Sequence, residues 1–159
     1  MSDRAVSDTP LLDFSNKKLL EPIPANLHQL ASEYLTSKEL DLLQKAYSVA
    51  SEAHREQIRQ EGSPYITHPV AVAETLLKLN LDVETVCAGL MHDVLEDSVI
   101  QKSYLEKLFG KETLVIIDGV SNLNKLDFDS LEDRNANNLQ KMALAMSKDI
   151  RVIIVKLCD

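Results

Sequence analysis

Apolar residues recur at three- and four-residue intervals over most of this chain, and that spacing confines it to helices. The clearest stripe is Leu40, Leu43, Ala46, Tyr47, Ala50 and Ala53. These six share one face of a helix predicted to take Ser37 as its N-cap and to run to about Glu56. Only 4 Gly and 5 Pro occur in 159 residues, which suits helices joined by short connections. The length fits one domain with a sizeable core. With no Trp and 4% aromatics, that core must be aliphatic.

The same reasoning places the other elements. Residues 1–24 mix Ser, Asp, Pro and Lys without a helical period, and they read as a mobile or loosely docked arm. Residues 25–159 read as the domain, opening with a short helix from Asn26 to about Tyr34. Arg59 to Tyr65, with Gly62 and Pro64, read as a turn or loop. Thr67 is predicted to cap the next helix, with Pro69 in its first turn and Val70, Val72, Ala73, Leu76 and Leu77 as apolar positions. Asp82 is predicted to cap a helix that carries Val83, Val86, Cys87, Leu90, Met91 and Val94 and ends near Ser98. A helix from Lys102 should stop at Gly110. Another runs from Lys111 to about Leu123, weakened or kinked near Gly119. Asn124 to Asp129 read as a polar link. Leu131 to Ser147 form a long helix with Leu139, Met142, Ala143 and Met146 on its buried stripe. The last segment, Ile150 to Asp159, could be a strand by its run of β-branched residues. No partner strand is evident, so a buried helix is expected, with Asp149 as a possible cap. The fold class read from this pattern is all-α.

A net charge of −8 argues against a nucleic-acid binder, whose affinity comes from neutralising phosphates. It leaves room for a small phosphorylated ligand, because a metal can reverse the local field. Apolar runs fall far short of the ~20 residues that cross a bilayer. Cys87 and Cys158 each sit in apolar stretches and form no CxxC pair, as expected of reduced thiols in a cytoplasmic protein.

Chemistry concentrates in His92-Asp93-Val94-Leu95-Glu96-Asp97. On a continuous helix His92 and Glu96 would lie one turn apart, as would Asp93 and Asp97. Carboxylates this close repel, so the cluster needs a cation or a raised pKa. An imidazole and carboxylate set suits Mn²⁺, Fe²⁺ or Zn²⁺ better than Ca²⁺. His92 and Asp93 need a third ligand from another element. His68 and Asp159 are candidates, and His54 competes.

Four motifs carry a resemblance. Gly62-Ser63-Pro64-Tyr65-Ile66-Thr67-His68-Pro69 resembles the GEPYI-x-HP signature of RelA/SpoT homologues, and His92 to Asp97 resembles their HDxxED motif. Asp118-Gly119-Val120-Ser121-Asn122-Leu123 and the stretch from Lys141-Met142 to Lys156-Leu157-Cys158-Asp159 resemble two further family segments. The match spans Ala46 to Asp159 in order, with wording closest to the SpoT branch.

The resemblance implies an HD-domain phosphohydrolase helical bundle that removes the 3′-pyrophosphate of guanosine tetra- or pentaphosphate, (p)ppGpp. It implies a Mn²⁺ held by His68, His92, Asp93 and Asp159. Glu96 and Asp97 match the pair that handles the attacking water, and Arg59 a loop arginine facing the nucleotide. The family pattern continues past the residue matching Asp159, so a domain without its closing helices and synthetase region is expected. Gln60-Glu61 stand where the family has Lys-Ser, and Ser63 where it has Glu, which weakens the field for phosphate. The competing readings are another nucleotide phosphohydrolase of the HD superfamily and a catalytically silent regulatory module.

Overall fold

The computed structural model describes residues 21–125 and 131–159. Most of the expected arm, residues 1–20, and residues 126–130, which include most of the expected link, lie outside them. The described residues form eight helices: α1 (Ala25–Ser32), α2 (Ser37–Ala53), α3 (Thr67–Lys78), α4 (Val83–Met91), α5 (Val94–Asp97), α6 (Lys102–Asn124), α7 (Leu131–Lys148) and α8 (Arg151–Cys158). Among them there is no strand, only an isolated antiparallel bridge between Ile58 and Pro64. The all-α expectation holds, including at the β-branched segment. Val152, Ile153 and Val155 are buried on α8, which packs on α6, α3 and α4. Tertiary packing overrides the strand propensity there.

At the centre is α4. Every residue of it except Glu84 is buried, and it packs against α2, α3, α6 and α8. A helix apolar on all sides belongs inside a core, and burying each large side chain contributes roughly 1.5–3 kcal/mol. Asp82 caps it as expected, its carboxylate accepting from Thr85 N–H.

Three caps differ from expectation, one of them at α8, whose N-cap is Ile150 and not Asp149. The N-cap of α2 is Thr36, one residue before Ser37. Thr36 accepts from Glu39 N–H at 3.3 Å, and the Glu39 carboxylate accepts from Thr36 N–H at 2.7 Å. Only Thr36 stands three residues before a Glu, so only it can close this reciprocal box. The helix ends at Ala53, with His54 as C-cap, three residues short of Glu56. Thr67 does not cap α3. Its hydroxyl donates to Pro64 C=O at 2.8 Å, and the helix is entered from Ile66 without a side-chain cap.

Gly110 interrupts α6 as expected, with φ of 86°, a conformation that costs glycine little. Gly119 does not kink it. A Cβ built there would lie 2.6 Å from Val152 Cγ2, so this glycine lets α6 and α8 approach closely. The expected buried stripe of α7 is not buried. Leu139 is 69% exposed and Met146 47%, and Met142 and Ala143 are exposed as well. Among its described side chains, Ala145 is the one apolar residue that packs against the core, as a half-buried neighbour. Before α1, Glu21 is tied to α2. Its C=O accepts from the Gln44 side chain and its carboxylate from Ser51. No helix among the described residues is long and apolar enough to cross a membrane.

Candidate metal centre

Three helix ends meet at one place. His68 sits in the first turn of α3, His92 caps the C-terminus of α4, and Asp159 caps the C-terminus of α8. Asp93 lies between α4 and α5. The expected helix from Val83 to Ser98 is broken here, because Asp93 has φ −98° and ψ −3°. Glu96 N–H and Asp97 N–H both return to Asp93 C=O, at 3.2 and 3.0 Å. His92 therefore shares no exposed ridge with Glu96. Its ring is fully buried, while Glu96 is exposed.

His92 sets the electrostatics. Its Nδ1 lies 2.6 Å from Gly89 C=O, so Nδ1 is the donor and Nε2 faces inward. Asp93 Oδ2 is 3.0 Å and Asp159 Oδ1 3.3 Å from that Nε2. Neither meets it in hydrogen-bonding geometry, and the buried nitrogen has no partner of its own. Burial would lower the His92 pKa, but the carboxylates of Asp159 and Asp93 push it up to about 10. Asp159 is held well below the usual carboxylate range by His92 and Lys156, despite partial burial. Burial would raise Asp93, yet His92 and Tyr65 bring it below its ordinary value. The arrangement is two anions around one ring nitrogen, and it demands a positive charge.

His68 completes the group. Its Nε2 lies 2.8 Å from Asp159 Oδ1. The ligand atoms of His68, His92 and Asp159 all lie within 4.8 Å of one another, and Asp93 Oδ2 adjoins His92. The clustered donors are two imidazoles and one carboxylate; Asp93, outside that cluster but 3.0 Å from His92 Nε2, offers a second carboxylate, and such a borderline-hard set suits a first-row divalent ion. The unpartnered His92 Nε2 fits such an ion, because a lone pair aimed between two carboxylates lacks a cation and not another acceptor.

The other expected residues are placed differently. Glu96 Oε1 accepts from the Asn124 amide at 3.2 Å. Burial and the Asp93 charge raise the pKa of Asp97. Arg59 stands apart, its Nε 3.2 Å from Glu61 Oε1. Among the described residues no hydrogen bond or ion pair joins Arg59 to the four. His54 lies outside the group; its Nδ1 meets Gln57 Oε1 at 2.9 Å.

Four residues escaped the sequence reading. Tyr65 O–H donates to Asp93 Oδ2. The Gln57 amide donates to Asp97 C=O. Lys156 Nζ bridges Asn124 Oδ1 at 2.6 Å and Asp159 Oδ2 at 2.9 Å. Lys156 and Asp159 are three apart on a helix, a spacing that places them together. The Asn124 contacts, 28 and 32 residues away in sequence, carry no local signal.

Residues 46–159 match the family model described as HD domain. A Vibrio cholerae serotype O1 protein named guanosine-3′,5′-bis(diphosphate) 3′-pyrophosphohydrolase is 47% identical over 134 residues, 84% of this chain and 19% of that protein. The Escherichia coli K12 protein named bifunctional (p)ppGpp synthase/hydrolase SpoT gives the same identity and coverage. A Myxococcus xanthus protein named GTP pyrophosphokinase is 37% identical over 94% of this chain and 20% of its own length. The chain thus spans about a fifth of the length of these relatives.

Proposed function

The chain belongs to the HD domain family, and on that premise we propose that it hydrolyses the 3′-pyrophosphate of (p)ppGpp with a bound Mn²⁺, in the cytoplasm. The observation that carries the metal chemistry is the buried His92 Nε2 facing Asp93 and Asp159 without a hydrogen-bond partner. The names of the Vibrio and Escherichia relatives support the substrate.

In this reading His68, His92, Asp93 and Asp159 hold the ion. When bound, it supplies a lowered water pKa and positive charge against the phosphate oxygens. Glu96, exposed at the rim and steadied by Asn124, takes a proton from the attacking water. Asp97, on the same turn, orients that water. Arg59 binds substrate phosphate through the terminal guanidinium nitrogens, which its Nε contact with Glu61 does not use. The water oxygen bonds to the phosphorus on the 3′-oxygen, that P–O bond breaks, and a proton ends on the 3′-oxygen. The products are GDP or GTP and pyrophosphate.

The test is pyrophosphate release by the purified chain during a Mn²⁺ titration, with ppGpp, GTP and ATP as parallel substrates. Release from ppGpp alone is the expected result. Equal turnover of all three would point to a general nucleotide phosphohydrolase. Metal binding with no turnover would point to a silent regulatory module.

A further inference from the structure

We propose that Tyr65 is a positioning residue of the metal centre, its phenol fixing the carboxylate of Asp93 so that a single oxygen is presented to the ion. This rests on the metal reading above and deepens it.

Asp93 lies at the break between α4 and α5, outside either helix. Tyr65 O–H donates to Asp93 Oδ2 at 2.5 Å, and the same Oδ2 is the oxygen 3.0 Å from His92 Nε2. A carboxylate oxygen offers about two lone-pair sites. The phenol occupies one and leaves one for the ion. Apart from the His92 ring nitrogen, no other group among the described residues contacts this carboxylate through a hydrogen bond or ion pair.

The phenol is itself held. Its ring lies 4.6 Å from the His54 ring and edge-on to His68 at 5.9 Å. Tyr65 N–H donates to Gln57 C=O at 2.9 Å, and the Gln57 amide reaches Asp97 C=O at 3.2 Å. The stretch that carries Arg59 is therefore fastened to the 93–97 turn at two points, one being the ligand itself. His54 is buried and serves as a wall of this holder, which accounts for a histidine close to the centre that is not among the clustered donors.

A plain packing role would need only the ring, so Tyr65→Phe separates the two. In the metal-free state Tyr65→Phe should fold like wild type by circular dichroism. Its Kd for Mn²⁺, measured by calorimetry, should rise roughly 10- to 100-fold, the usual cost of losing a partner that orients a metal ligand. The electron paramagnetic resonance spectrum of bound Mn²⁺ should change as Asp93 gains freedom. Tyr65→Leu, which removes ring and hydroxyl together, should lose at least as much affinity. A Tyr65→Phe Kd within twofold of wild type, with Tyr65→Leu alone impaired, would overturn the proposal in favour of packing. So would failure of Tyr65→Phe to fold. If wild type itself binds no Mn²⁺, the metal reading fails first and takes this one with it; if wild type binds and only the variant comparison fails, the metal reading stands.

Discussion

His92, proposed to hold the ion, and Arg59, proposed to meet the phosphate, are held in contrasting ways. His92 closes a helix buried at every residue but Glu84, with one ring nitrogen on Gly89 C=O and the other between two carboxylates. Arg59 lies between the paired residues Ile58 and Pro64, with a side chain 41% exposed and a partner, Glu61, 60% exposed. Packing from four helices fixes the inner group before any ligand arrives. The outer group rests on an ion pair that water and salt weaken. Preorganised charge is what stabilises a transition state, whereas an exposed cation that can change partners suits capture of a mobile phosphate.

The comparison can be broken by substitution. The largest expected effect is at the inner group: Asp93→Asn should remove Mn²⁺ binding and bring turnover to background, checked by calorimetry and pyrophosphate release. Next, Glu96→Gln should lower kcat by roughly 10²–10⁴-fold, the usual share of a general base, with Mn²⁺ affinity unchanged. Normal turnover by this variant would refute its role. At the outer group Arg59→Ala should raise KM for ppGpp about tenfold, close to one charge-assisted contact, with kcat altered less. Glu61→Ser should act in the opposite direction and only a few-fold, and the gain should fade at high salt.

The inner group also sets a pH window for the metal-free protein. The His92 pKa lies above its unfolded value, so its contribution is complete below about pH 6.5 and is lost as pH rises through about 10. Asp93 and Asp159 are lowered; their contribution is present above about pH 4 and is lost in acid. Melting temperature against pH should show a plateau between these limits.

Much of this was legible in the residues. The apolar series Val83, Val86, Cys87, Leu90 and Met91 marked α4 as core, and the density of titratable groups after it marked the site. Periodicity tells which residues share a face and says nothing of what covers it. Leu139, Met142, Ala143 and Met146 share a stripe on α7, as read, yet among the described residues that stripe is exposed. The break at Asp93 was missed because the one residue between Val83 and Ser98 that lowers helix propensity sharply, Gly89, sits inside the continuous part of α4 and not at the break. Tyr65 was passed over because its partner lies 28 residues away, across a contact that exists only after α3 and α4 pack.

The proposed activity requires one divalent ion to replace a proton at the junction of α3, α4 and α8. Calorimetric titration of the metal-free chain with Mn²⁺, near pH 7 and in buffers of different ionisation enthalpy, tests this most directly. The expected result is one ion per chain, about one proton released from His92, and an affinity that climbs about tenfold per pH unit. No binding, or binding with no proton released, would contradict it.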